Sequence, residues 1–276
     1  MKQKKRIVVI CPGRGTYTRE TSGYLKSHGG PARVQIDWMD VQRKNAGLST
    51  LSELDSAPFK AKIHMAGEYA SPLIYACSLA DFLSIDRNKY EIVAITGNSM
   101  GWYIALGLGG AMTHENAYHL IHTMGAMMKN GIIGGQIIYP IVDENWQVDE
   151  AKKEMVLSDI EKAGAHVSIF LGGYLVIGGK QESLDILLQN LPKEDKYPFQ
   201  LPFHGAFHTP LLDSLSNQAK GILSESIFQK PSIPLIDGQG KIWSPYSTNI
   251  SELYNYTLGH QVTKTYDFST AVKVAM

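Results

Sequence analysis

Two cysteines in 276 residues, Cys11 and Cys77, are too few and too far apart for a disulfide framework or a cysteine metal knuckle. Charge of one sign is missing too. Lys and Arg total 26 and so do Asp and Glu, so no global field draws the chain to nucleic acid or to an anionic membrane. No apolar run approaches the roughly 20 residues of a membrane span. The N-terminal "MKQKKRIVVICPGRG" is basic and then apolar, as in a secretory leader, but its apolar run of about five residues before Pro12 falls short of the ~7–15 of such a leader and reads as a first strand. The zinc-protease pattern His-Glu-x-x-His is lacking as well, because in "HENAYH" the second histidine, His119, stands one residue too far from His114. These absences exclude nucleic acid, membrane and metal as expected partners. They leave a protein of a reducing, cytoplasmic setting, 44% hydrophobic and long enough for a sizeable core.

What is present is an alternation of short β-branched runs with helical patterns. A strand at 6–10 is followed by a helix at 69–83, a strand at 91–97 and a helix at 101–112, the order of a parallel sheet covered by helices. An amphipathic helix follows over 114–131, with Tyr118, Ile121, Met124 and Met128 near one face and Gly131 as its C-cap. From 136 the pattern becomes strand, helix, strand, strand, helix, strand, with a tight turn at Gly172 and Gly173. That βαββαβ order is the signature of a ferredoxin-like unit. A helical period over 209–227 and a strand at 233–236 then resume the first character. The expected fold is therefore α/β, a larger domain with a parallel sheet, built from 1–134 and 207–276, carrying an inserted ferredoxin-like subdomain over 135–206.

"GNSMG" (97–101) fits Gly-x-Ser-x-Gly and stands between an expected strand and an expected helix, the setting of a nucleophile elbow. A sharp strand-to-helix turn needs neighbours without a Cβ. The helix N-terminus supplies free N–H groups, that of Met100 among them, to a developing oxyanion. The plain alternative is a serine capping a helix. A nucleophilic serine needs a base, and of the nine histidines His204 and His208 in "LPFHGAFHTPLL" are the informative pair, on a connection leading into a helix. Periodicity does not choose between them. His114, His119 and His122 share one helix and read as surface or packing residues.

The segments "CPGRGTY", "GNSMGWY", "LPFHGAFHTPLL", "PLIDGQGK" and "GHQVTKTYDF", in this order, resemble the motifs of malonyl-CoA:acyl carrier protein transacylases and the acyltransferase domains of polyketide synthases, from about residue 6 onward. The resemblance implies an α/β-hydrolase-like domain with a ferredoxin-like insert and ping-pong acyl transfer. Ser99 matches the family's nucleophile and His208 its base. Gln261 matches the glutamine whose backbone carbonyl orients that histidine, and the backbone N–H groups of Arg14 and Met100 match the oxyanion hole. Implied partners are an acyl-CoA and an acyl carrier protein, with CoA thioester as substrate, no other cofactor, and a monomeric enzyme. His204 is left as a strand-end residue.

The departures from the family pattern are informative. Arg14 stands where Pro-Gly-Gln-Gly has glutamine, which keeps a backbone donor and adds a cation able to attract a carboxylate or phosphate. Asn98 and Trp102 replace a His and a Glu beside the serine and are expected to reshape the acyl pocket, with Trp102 walling it. Ser71 replaces a glutamine before Pro72. Met124 falls where malonyl-specific members carry the Arg that pairs with malonyl's free carboxylate, and 114–130 contains no Arg. Burying a carboxylate without its partner costs several kcal/mol, roughly a thousandfold in discrimination, so the expected acyl group is not malonyl. Two alternatives share these residues: a hydrolase that gives the acyl-enzyme to water, and a scaffold that binds a carrier protein without turnover. An ordinary esterase would place its acid between Ser and His, where Asp159 and Asp185 fall on expected helices of the insert.

Overall fold

The computed structural model describes residues 3–129 and 131–276. Asn130, inside the expected helix over 114–131, lies outside the described residues. Two sheets organise the molecule. The first has strand order β1-β2-β7-β8, from Lys5–Cys11, Tyr90–Gly97, Leu235–Ile236 and Ile242–Trp243. β1, β2 and β7 run parallel, and β8 turns back antiparallel to β7. Ile95 is fully buried and Ile92 nearly so, as a parallel strand covered on both faces requires.

Around this sheet pack α1 (Arg33–Asn45), α2 (Gly67–Ser84), α3 (Gly101–Leu108) and α4 (His114–Ala126). α3 is buried along its entire length. It ends four residues earlier than the sequence suggests, because Gly109 and Gly110 follow and Gly110 takes a left-handed φ of 73° that a helix cannot continue through. α4 begins with Thr113 as N-cap, its hydroxyl accepting the Asn116 N–H. It stops at Ala126, so Met128 lies in the turn beyond it and Gly131 is not its cap.

The second sheet has order β6-β3-β5-β4-β9, from Phe199–Gln200, Gly135–Pro140, Tyr174–Gly179, His166–Leu171 and Tyr266–Asp267. Its first four strands alternate with α5 (Glu150–Lys162) and α6 (Gln181–Asn190) in the expected βαββαβ order. Period-two alternation gives it two apolar faces. Ile137, Tyr139, Leu175 and Ile177 pack on Val156, Ile160, Leu184 and Leu187 of the two helices. Gln136, Ile138, Ile169, Leu171 and Val176 face the other way, into a cavity against the first unit. β6 has only two residues where seven were expected, and the connection from Leu201 to Phe207 is irregular. β9 is one of the elements that sequence patterning missed, with β8, α1 and the helix Phe268–Ala275: it pairs parallel with β4, so a segment distant in sequence extends the second sheet. α7 (Asp213–Ile222) and α8 (Phe268–Ala275) complete the larger unit.

Candidate active site

Ser99 stands two residues after the end of β2 with φ 55°, in the left-handed region that a residue with a Cβ occupies only when its surroundings hold it there. The two glycines of the motif explain how. A Cβ on Gly97 would collide with the backbone of Gly101, and one on Gly101 would collide with the Cys11 carbonyl at the end of β1. Chain crossings this tight are open to glycine alone. Three hydrogen bonds then fix the turn: Asn98 N–H to the Cys11 carbonyl at 3.1 Å, Gly101 N–H to the Asn98 carbonyl at 2.8 Å, and the Tyr266 hydroxyl to the Gly97 carbonyl at 2.5 Å.

The choice that periodicity left open is decided by distance. Ser99 Oγ lies 2.7 Å from His208 Nε2, and His208 Nδ1 lies 2.5 Å from the Gln261 carbonyl. A carbonyl can only accept, so Nδ1 carries the proton, Nε2 is bare, and the Ser99 hydroxyl donates to it. His208 is itself held in the left-handed region, at φ 61°, with its backbone N–H on the Val262 carbonyl at 2.8 Å. Both acceptors come from the last turn of a helical segment that begins at Ile250, passes through a π-helical turn at Tyr256–His260 and ends at Gln261–Thr263. Carbonyls at a helix C-terminus have no partner within the helix, and their partial negative charge favours an imidazolium when one forms. Burial nonetheless lowers the His208 pKa to about 4; the Gln261 hydrogen bond opposes this and nearby His260 adds to it. The resting ring is neutral, as a base must be.

Gln261 works at both ends. Its side-chain amide donates to the Ser99 carbonyl at 3.0 Å and accepts from the buried Tyr103 hydroxyl at 2.7 Å, so one residue positions the serine backbone and the histidine ring together. Tyr103 carries no sequence signal beyond its helical spacing from Ser99. The backbone N–H groups of Arg14 and Met100, on the loop after β1 and the turn into α3, engage no partner among the described residues. Gly13 permits that loop its approach, since a Cβ there would stand 2.9 Å from the Asn98 carbonyl.

A cavity of about 380 Å³ opens beside Ser99 between the two units. Met65, Ile121, Met124, Ile138, Ile169 and Leu201 give it a largely apolar wall. Arg14, Ser71, Asn98, Gln136 and His204 supply its polar groups, and the lining contains no Asp or Glu. Met124, Ser71 and Asn98 thus line the cavity beside Ser99. Trp102 does not. It is fully buried behind the elbow, donates its indole N–H to Thr257 at 3.0 Å and meets the Tyr256 ring edge-on, so it supports the segment leading to Gln261 and walls no pocket. Trp102 is the second residue of α3, a helix in which every residue is buried, so its place beside the elbow leaves its ring in the core.

His204 also departs from expectation, since it stands four residues beyond the last residue of β6 and lines the cavity. The alternation of polar Gln136 with apolar Ile137 in β3 was the one signal that this wall of the cavity carries a polar group. The Arg14 side chain folds over the cavity and donates to the Phe203 carbonyl at 2.5 Å; burial lowers its pKa to about 10. Among the described residues no three His, Cys, Asp or Glu side chains converge to hold a metal ion, and no helix is long and apolar enough to cross a membrane. Cys11 and Cys77 are both free thiols.

Solved structures match this fold along nearly the whole chain. The malonyl-CoA:acyl carrier protein transacylase of Xanthomonas oryzae superposes with a TM-score of 0.77, covering 100% of this chain and 85% of that one at 20% identity. The Helicobacter pylori enzyme gives 0.77 over 98% and 84% at 19% identity. The acyltransferase domain from the second module of the salinomycin polyketide synthase gives 0.74 over 99% of this chain and 61% of that one at 15% identity. Among curated proteins, the polyketide biosynthesis acyltransferase homolog BaeD of Bacillus velezensis is 22% identical over 241 residues, which is 83% of this chain and 69% of that protein. Mycoketide-CoA synthase of Mycobacterium tuberculosis is 23% identical over 169 residues, 61% of this chain. The match spans only 4% of that protein's length. No family model matches the chain. The fold is that of malonyl-CoA:acyl carrier protein transacylases and polyketide synthase acyltransferase domains, as the five motifs imply.

Proposed function

We propose that the protein is a serine-dependent acyltransferase that moves an acyl group other than malonyl from a CoA thioester to the thiol of an acyl carrier protein. The observation that carries this reading is the chain Ser99 Oγ, His208 Nε2, His208 Nδ1, Gln261 carbonyl, with spacings of 2.7 and 2.5 Å, at the edge of a cavity without a carboxylate. His208 takes the hydroxyl proton as Ser99 Oγ attacks the thioester carbonyl, and the Arg14 and Met100 N–H groups receive the oxyanion. Collapse of the tetrahedral adduct expels the CoA thiolate, which takes the proton from His208 and leaves a Ser99 ester. The carrier thiol then gives its proton to His208 and attacks that ester, so the same groups serve in reverse. A neutral carbonyl partner suffices to orient His208, in place of a carboxylic acid.

Met124 supports the acyl preference. It is buried in the cavity wall, and its thioether suits an alkyl chain where a carboxylate would lack a partner. Intact-protein mass spectrometry after mixing with acetyl-, butanoyl- and malonyl-CoA tests the reading. The expected result is a single acyl adduct from the first two donors, weak labelling by malonyl, no adduct on Ser99→Ala, and discharge when a carrier protein is added. Met124→Arg should raise malonyl labelling. Discharge in buffer alone, as free acid, would make the protein a hydrolase, and an acylated Ser99→Ala chain would end the assignment.

A further inference from the structure

His204 is a second oriented histidine in the same cavity, and its orientation can be read from a chain of hydrogen bonds with one possible direction. The Phe207 carbonyl only accepts, so the Ser168 hydroxyl, 2.9 Å away, donates to it. Ser168 Oγ then accepts from the Gln136 amide N–H at 2.7 Å; the same amide nitrogen is 3.4 Å from the Phe207 carbonyl, where an amide oxygen would be repelled. This fixes Gln136 Oε1 at the far end, and it accepts from His204 Nδ1 at 2.9 Å. With Nδ1 protonated, the neutral ring leaves Nε2 as a bare acceptor that no group of the protein engages among the described residues. Ser168 is fully buried and Gln136 nearly so, so the relay is not exchanged for water. Burial, helped by the Arg14 charge, lowers the His204 pKa to about 3.

Beside this acceptor stands a donor. Arg14 gives one N–H to the Phe203 carbonyl, in the residue adjoining His204, and its guanidinium has five in all. It forms no ion pair with an Asp or Glu among the described residues. Besides Ser71 and Asn98 elsewhere in its polar lining, the cavity thus presents an oriented acceptor and a donor on adjoining segments, Arg14 bonding the residue next to His204. A carboxylate satisfies the donor but meets the lone pair of His204. An alkyl chain leaves both unpaired, at the cost that buried polar groups exact when a ligand fails to engage them. A hydroxyl satisfies both at once, donating to Nε2 and accepting from the guanidinium.

We infer that the acyl group this site selects carries a hydroxyl close to its thioester carbonyl, and that His204, oriented through Gln136 and Ser168, is the residue that reads it. The inference rests on Ser99 being the acylated residue. It is tested by the initial rate of Ser99 loading, followed by intact-protein mass spectrometry, with butanoyl-CoA, 2-hydroxybutanoyl-CoA, both enantiomers of 3-hydroxybutanoyl-CoA, and malonyl-CoA. The expected result is that one hydroxylated donor loads about tenfold faster than butanoyl-CoA or more. In His204→Leu the ratio of the hydroxylated to the plain donor falls to about one, whatever the absolute rate. His204→Gln, which keeps an acceptor, retains part of the preference and serves should the leucine variant fail to fold. Equal rates in the unaltered protein, a preference undiminished in His204→Leu, or preferential malonyl loading would each overturn the inference. Failure of every donor to load the unaltered protein would overturn the acyltransferase reading itself, and this one with it.

Discussion

Ser99, His208 and Gln261 contribute in different ways, and substitution should separate them. On the proposed mechanism His208→Ala removes the base, and acyl-enzyme formation should slow by about 10²–10⁴, measured by rapid-quench loading. Gln261→Ala is gentler, because the group that holds His208 Nδ1 is a backbone carbonyl that survives the change. What it loses is the amide bridge from the Ser99 carbonyl to the Tyr103 hydroxyl, so its loading rate should fall less than that of His208→Ala. The three residues were legible in the sequence only as members of ordered motifs. Residue type alone could not choose His208 over His204, four positions apart on an irregular connection, because the deciding fact is which ring reaches Ser99 across 109 residues of chain. Trp102 shows the opposite failure: its place beside the serine suggested the pocket, while α3 is buried all round and the ring packs on Thr257 and Tyr256.

The elements that matter here are a turn and a helix end. The turn from β2 into α3 exists because Gly97 and Gly101 let three backbone segments cross, and Gly101→Ala should cost about 2 kcal/mol of stability or more, read from urea unfolding, with loss of loading in whatever remains folded. The turn itself was legible in the sequence, since Gly-x-Ser-x-Gly falls between an expected strand and an expected helix, although a serine capping that helix fitted the same residues. The βαββαβ order was equally plain from period-two and helical spacing. Not every short strand was: β6 was read but has two residues in place of seven, and β9, whose two residues are too few for any periodicity, was not read and forms because β4 offers an unpaired edge. The π-helical turn before Gln261 left no pattern either. It is a change in hydrogen-bond register, and it sets which carbonyls the helix end presents to His208.

For the whole molecule, pH is the simplest handle. His208 and His204 have their pKa values held at about 4 and about 3, against 6.5 for an ordinary histidine. An unfolded chain takes up protons at both sites below about pH 6.5 that the folded chain refuses, so their contribution to stability is complete above that pH and is lost as the pH falls toward 4 and then 3. Urea midpoints should therefore drop between pH 7 and pH 4.5, less steeply in His204→Leu, while acylation, which needs only neutral His208, persists to about pH 5. The cavity was the least legible feature of all. Its walls come from α4, β3, β4 and the loop after β1, elements whose apolar faces each look like ordinary core until the two sheets are set against one another.

Tyr266, which pairs with β4 through its backbone and holds the Gly97 carbonyl with its hydroxyl, has a further meaning in time. During synthesis the serine emerges 109 residues before the histidine, and the Gln261 carbonyl and the Tyr266 brace later still. A nascent chain can complete its first parallel strand pair and most of its second sheet while the serine remains an unactivated alcohol. On the proposed mechanism, a segment made later activates one made earlier.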